Sequence, residues 1–150
     1  EVLVVTQPGF IWSKGEQYLK DVDARDQIDL YRYGSLLENN IPVIASSDSP
    51  YGPVSPWKII GTAADRKTRE GKVVGAEEAV SRSIAIEGYL TKPGQLRDSK
   101  RSLNPGEPAD LCVLKAGFSL EKDSLNNEEP VAHTIVNGEL IYSARPFKTS

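Results

Sequence analysis

The chain has 150 residues, with no methionine, one histidine (His133) and one cysteine (Cys112). A single cysteine excludes an intrachain disulfide framework and a cysteine-rich zinc site. A single histidine excludes any site that needs two imidazoles from these residues alone. The sequence lacks an apolar run long enough for a transmembrane helix, and residues 1–5 are too short for a signal peptide. No membrane partner is expected, and the cytoplasm is the default compartment.

The charges are close to balance, with 18 Lys and Arg against 21 Asp and Glu, a net charge of −3. Nucleic acids and anionic membranes select basic surfaces, so neither is expected as a partner. The basic residues 92–101 include Asp98 and no aromatic side chain, which indicates a solvated linker. The chain starts without methionine and with an apolar strand at its second residue, so we expect a part of a longer protein.

Two continuous apolar runs, residues 2–5 and 41–45, predict strands buried on both faces. The Ser-x-x-Glu pattern at 13–16 predicts a capping box opening a helix over 14–23, and a second helix is predicted over 27–38. Strands separated by helices predict a βαβ unit with a parallel sheet. Gln7 and Asp48 follow the two strands, at the carboxyl edge where ligands bind in parallel α/β folds.

Later signals predict more helices and then strands. Ser55-Pro56 predicts a helix start, a further helix is expected over 76–90, and residues 92–94 would end it. Strands are predicted at 110–114, 131–136 and 139–142, with Asn137-Gly138 as a type I′ turn between the last two. The fold class is therefore α/β, with units at 1–91 and 109–150 joined by a linker at 92–108.

Seven segments occur in an order that resembles a known family. The most specific are the S-L-x-P-G-x-x-A-D-L-x-V-L pattern at 102–114 and the T-x-V-N-G hairpin at 134–138. The others are V-T-Q-P at 5–8, I-P-V-I-A-S-S-D-S-P at 41–50, P-W at 56–57, D-R-K-T at 65–68 and G-A-E-E-A at 75–79. Together they resemble the C-terminal part of the amidohydrolase superfamily, specifically amidohydrolase family 3. That group includes N-substituted formamide deformylases, D-aminoacylase-like enzymes and proteins named exoenzyme regulatory.

The resemblance implies the last two βα units of a metal-dependent (β/α)8 barrel, followed by strands of a small β-sandwich. It implies a parent enzyme that hydrolyses a C–N bond of a small amide- or formamide-type substrate with a divalent metal, zinc being expected first. The family's histidine ligands would precede residue 1. We therefore expect these 150 residues alone to be inactive and to hold no metal stably.

The resemblance assigns Asp48 as a metal ligand and general base, whereas from the residues alone a turn cap is the favoured interpretation. Gln7 is a candidate substrate-binding residue, or a strand-end group bonded to loop backbone. Arg66 is a second such candidate through a substrate carboxylate; a structural pair with Asp65 or a loop carbonyl is the favoured alternative. His133 is interpreted as structural, and Cys112 as a small core hydrophobe.

A different class of function stays open, namely a non-enzymatic regulatory or interaction module derived from an amidohydrolase. The name of some relatives, exoenzyme regulatory protein, supports keeping it. In either case two barrel strands alone leave unpaired sheet edges and uncovered apolar faces. The isolated chain is therefore expected to self-associate.

Overall fold

The computed structural model describes residues 3–90, 101–120 and 130–144. Within them lie the strands β1 (Val4–Thr6), β2 (Val43–Ala45), β3 (Leu111–Leu114), β4 (Val131–Val136) and β5 (Glu139–Ser143). The helices are α1 (Gly9–Asp21), α2 (Gly34–Glu38), α3 (Pro56–Asp65) and α4 (Arg82–Leu90), with short 3₁₀ turns at Gln27–Asp29 and Ala76–Glu78. The predicted helix stop at 92–94 and most of the predicted linker lie outside the described residues.

The first half of the chain contains the predicted parallel strand pair. β1 lies beside β2 with Val4 opposite Val43 and Thr6 opposite Ala45, and α1 and α2 lie between them in sequence. This confirms the βαβ prediction. Val5, however, is 46% exposed, although continuously apolar strands of parallel sheets are normally covered on both faces. Among the described residues, one face of β1 is therefore incompletely covered.

The apolar core lies between this sheet and the helices α3 and α4. Its buried members are Tyr33, Val43, Ala45, Ile59, Ile60, Ala63, Val80 and Ala85. α3 begins at Pro56, as predicted, because proline fits the first helical turn, where no amide donor is needed. The ring of Trp57 packs edge-on against Phe118, with 5.5 Å between centroids, so the chain after residue 110 also contacts this core.

α1 begins four residues before the predicted capping box. Pro8 has helical backbone angles, and the N–H of Phe10 already donates to the carbonyl of Gln7. Ser13 therefore lies inside the helix, where its hydroxyl donates to the carbonyl of Gly9 at 3.3 Å. The prediction of a start at residue 14 is wrong because serine forms such bonds inside helices as well as at caps.

The predicted helix over 27–38 is also wrong. The chain forms a 3₁₀ turn, reverses at Tyr31 (φ 51°), and resumes as α2 at Gly34. Glu78 accepts the N–H groups of Tyr33 and Ser35 at 2.8 and 3.0 Å, and so satisfies donors at the start of α2. The predicted helix over 76–90 is also interrupted, and forms a 3₁₀ turn followed by α4. Between the two, the N–H of Val80 donates to the carbonyl of Ala63 and not to a carbonyl of its own helix.

β3, β4 and β5 form an antiparallel sheet with β4 in the centre. Asn137 and Gly138 both have positive φ, at 51° and 81°, as the predicted type I′ turn requires.

Cys112 is exposed, so its prediction as a core residue is wrong; no described layer covers its side of the sheet. Ile141 is 60% exposed and Tyr142 46%. Self-association through such uncovered apolar surface stays a prediction.

None of the described helices is long and apolar enough to cross a membrane.

The carboxylate of Glu78 should make folding stability depend on acid pH. Burial raises its pKa, but hydrogen bonds from Ser35 and Tyr33 and the charge of Arg32 outweigh burial, so the pKa of Glu78 is lowered. A lowered native pKa contributes stability above the unfolded value of about 4.3, and that contribution is lost as the pH falls through the native pKa. In urea unfolding between pH 7 and pH 3, the unaltered chain should lose more stability than E78Q.

The exposed Glu139 provides the control for removing one carboxylate, as E139Q. Equal loss of stability in E78Q and the unaltered chain would contradict the role given to Glu78.

Candidate functional site

The ends of β1 and β2 lie side by side. The N–H of Ser46 donates to the carbonyl of Thr6 at 2.9 Å, which extends the strand pairing by one residue at its carboxyl edge. Gln7 follows β1 there and is half-buried, with Nε2 at 3.4 Å from the carbonyl oxygen of Val5. Asp48 follows β2, three residues after its end. Both candidates therefore emerge from the same edge of the sheet.

Asp48 opens a tight turn whose hydrogen bonds use its backbone. Its N–H donates to the hydroxyl of Ser46, and its carbonyl accepts the N–H groups of Tyr51 and Gly52 at 2.9 and 3.1 Å. The residue has φ 50°, a left-handed conformation that aspartate tolerates better than most residues. Its side chain is exposed. Among the described residues, the turn is thus held without the Asp48 carboxylate, which faces solvent.

The turn packs closely against the start of α1. A Cβ at Gly52 would overlap the carbonyl oxygen of Ser47 and would lie 3.7 Å from the ring of Phe10. A Cβ at Gly9 would lie 3.0 Å from the ring of Pro53. Glycine is thus the residue that permits both close approaches. These contacts hold the Asp48 turn against the first turn of α1.

Tyr31 places a second polar group in this region. Its ring stacks on Phe10 with 5.5 Å between centroids, and its hydroxyl lies 2.7 Å from that of Tyr18. Burial raises the pKa of Tyr31, and the hydrogen bond with Tyr18 and the charges of Tyr18 and Asp48 raise it further. The hydroxyl of Tyr31 therefore stays protonated and neutral near the charge of Asp48. Sequence reasoning missed Tyr31 because the residue falls inside the helix predicted over 27–38.

Arg66 fixes the backbone of that same segment. Its side chain is fully buried. Nη2 donates to the carbonyl of Leu30 at 2.7 Å, Nη1 to that of Tyr31 at 3.1 Å and Nε to that of Val74 at 3.0 Å. Burial lowers the pKa of Arg66, opposed by the charges of two nearby glutamates.

These are the loop-carbonyl contacts that the sequence analysis favoured for Arg66. Asp65 instead pairs with Arg82, with 2.7 Å between the charged atoms. A fully buried guanidinium cannot reach a ligand in solvent without leaving its three carbonyl acceptors. Binding of a substrate carboxylate by Arg66 stays a prediction, with no contact here to support it.

The described residues contain no group of three His, Cys, Asp or Glu side chains that could hold a metal ion. Asp48 alone can supply at most one of the roughly three protein ligands that a catalytic zinc needs. His133 is half-buried in the central strand β4, opposite Val113 of β3 and Ser143 of β5. Its position in the sheet agrees with the structural interpretation.

Comparison with known proteins identifies the family of this chain. The chain matches the amidohydrolase family over residues 4–142. It belongs to the amidohydrolase family. This amidohydrolase chain is also 29% identical, over 149 residues, to an N-substituted formamide deformylase from Arthrobacter pascens. No solved structure matches it.

The aligned region covers 93% of this chain and 26% of the Arthrobacter protein. The chain thus spans about a quarter of the length of the curated relative that it matches. Family membership confirms the resemblance seen in the sequence and supports a hydrolase-type function.

Replacing Arg66 with methionine should strongly destabilise the fold. Hydrogen bonds from a charged donor contribute about 1.5–3 kcal/mol each, and three carbonyls would lose their partner, so we expect a loss of about 3 kcal/mol or more. R66K should recover only part of this, because an ammonium group lacks the forked donors of guanidinium. The free energy of unfolding in urea measures both changes.

Arg25 offers a matched control, since it is 82% exposed and its ion pairs span 3.5–3.9 Å. R25M should change stability by less than about 1 kcal/mol. An R66M variant as stable as R25M would show that the carbonyl contacts of Arg66 do not hold the fold.

Proposed function

We propose that this chain is part of a metal-dependent amidohydrolase and contributes the aspartate at the active-site edge of its barrel. The observation that carries the proposal is the exposed carboxylate of Asp48 at the carboxyl end of a parallel strand pair, in a chain of the amidohydrolase family. The reaction would be hydrolysis of a C–N bond in a small amide- or formamide-type substrate. The formamide class is favoured by the name of the Arthrobacter relative.

We further propose that residues 1–91 form the last two βα units of a (β/α)8 barrel, and that 109–150 contribute strands to a β-sandwich beside it. Parallel pairing of β1 and β2 supports the barrel. Incomplete cover of Val5 and of Ile141 supports further strands or layers packing on both sheets. Residues 92–108 would link the two units.

In this proposal, Asp48 carries out part of the reaction, and groups outside the described residues supply the rest. Asp48 would supply one ligand to a divalent metal, zinc being the first candidate, and the metal when bound would lower the pKa of water. The Asp48 carboxylate would bind that metal, take a proton from the attacking water, and return it to the nitrogen as the C–N bond breaks. A formamide would thereby yield formate and an amine.

Two neighbouring groups would complete the part of the site that this chain provides. The amide of Gln7 and the hydroxyl of Tyr31 are neutral polar groups at the same region, suited to hydrogen bonds with an amide substrate. Because Asp48 supplies one ligand, we expect the 150 residues alone to lack hydrolase activity.

The test measures metal content and hydrolysis of an N-substituted formamide in the whole protein in which this chain occurs. D48N should lower kcat by about 10²–10⁴-fold, because an amide cannot act as a general base, and should also lower the metal content per chain. The exposed neighbour Ser49 supplies the control, as S49A, which should keep both near the unaltered values.

Full activity and metal content in D48N would contradict the role of Asp48. Less than one metal per chain, together with no hydrolysis of amides or formamides, would contradict the enzyme itself. That second outcome would favour the regulatory or interaction module.

A further inference from the structure

A second concave site lies between α1, α3 and the loop after α3. It is a cavity of about 300 Å³ lined by Trp12 of α1, Lys58 of α3, and Lys67 and Arg69 of the loop, among others. Its lining does not include Asp48. The volume is at the lower end of the range for small-molecule sites, which suits a small ligand and excludes a dinucleotide.

Two cations are held against the same indole ring. Nζ of Lys58 and Cζ of Arg69 each lie 4.5 Å from the ring centroid of Trp12. Cation–π contact restrains both side chains. Their charges are therefore closer together than about 10 Å, the distance over which 0.1 M salt screens them. Burial lowers the pKa of Lys58, and the charge of Arg69 lowers it further, so an anion would relieve an existing repulsion.

The carboxylates that the structure describes in this region already have partners, and Glu16 is hydrogen-bonded to Thr68 of the lining. Asp65, the acidic residue in the lining, lies 2.7 Å from Arg82. Oε1 of Glu16 accepts the N–H of Glu70 at 3.0 Å, and Glu70 itself pairs with Lys72 at 2.9 Å. Among the described lining residues, three side chains are cationic and one is a carboxylate, which is paired with Arg82.

The two threonines of the lining are also engaged. The hydroxyl of Thr62 donates to the carbonyl of Lys58 at 2.7 Å, and the hydroxyl of Thr68 accepts the N–H of Lys72 at 3.1 Å. Recognition of a ligand therefore depends on the cations and on the indole face.

We propose that this cavity binds a small phosphate monoester, with its phosphate held by Lys58, Lys67 and Arg69 and its organic part against Trp12. Lysine and arginine both bind phosphate oxygens well. A dianion compensates three cations better than a monocarboxylate does. The site is independent of Asp48 and of the hydrolysis proposed above, so either proposal can fail without the other.

The test titrates the 150-residue chain with inorganic phosphate at constant ionic strength. The chain has two tryptophans, so W57F leaves Trp12 as the sole indole reporter. Its emission should change with saturation, and binding should weaken by about tenfold in R69M and in K58M, as expected for loss of a charge-assisted hydrogen bond. Acetate should bind more weakly than phosphate.

Lys14 is the matched control, because it is exposed on the same helix and lies outside the cavity lining. K14M should keep the affinity within about twofold, since an exposed charge outside the cavity contributes little to a local contact. Phosphorus NMR line broadening of phosphate by the unaltered chain, and its loss in R69M, gives the same answer if W57F does not fold.

Absence of saturable emission change and of line broadening would overturn the proposal. An equal loss of affinity in K14M would reduce the effect to general charge and would overturn it too. Acetate binding as tightly as phosphate would overturn the assignment to phosphate monoesters.

Discussion

The buried guanidinium of Arg66 is the contact on which the strand-end region depends. A cation removed from water must find acceptors, and Arg66 takes the carbonyls of Leu30, Tyr31 and Val74. Those carbonyls belong to segments far apart in sequence, so one side chain joins the end of α3 to the connection between the two strands. A continuous helix over 27–38 would use the first two carbonyls itself. Their capture is the reason that the chain reverses at Tyr31 and brings its ring onto Phe10.

Local signals predicted those elements whose shape depends on local chemistry. The parallel strands followed from continuous apolar runs, the start of α3 from Pro56, and the hairpin from Asn137-Gly138. The prediction of a helix over 27–38 was wrong because the interruption depends on Arg66, which lies more than 30 residues away in sequence. The prediction that Cys112 lies in the core was wrong because an apolar strand does not indicate which of its faces the remaining chain covers.

The sequence likewise predicted one part of the candidate site and not another. The place of Asp48 at the carboxyl edge was predictable, since parallel strands end together, whereas its role as a ligand and base came from the family resemblance. The structure adds that the turn is held by the backbone of Asp48, by Gly52 against Ser47, and by Phe10. Tyr31 could not be predicted, because its position follows from a long-range contact. The helix α1 serves both regions, packing Phe10 near Asp48 and presenting Trp12 to the cationic cavity.

The most direct test of the central claim is a crystal structure of the whole protein with its metal, located by anomalous scattering at the metal's absorption edge. If Asp48 is the strand-end ligand of an amidohydrolase, one of its carboxylate oxygens should lie about 2.0–2.2 Å from a zinc ion. A metal centre formed by other residues, with the Asp48 carboxylate outside its coordination sphere, would contradict the claim.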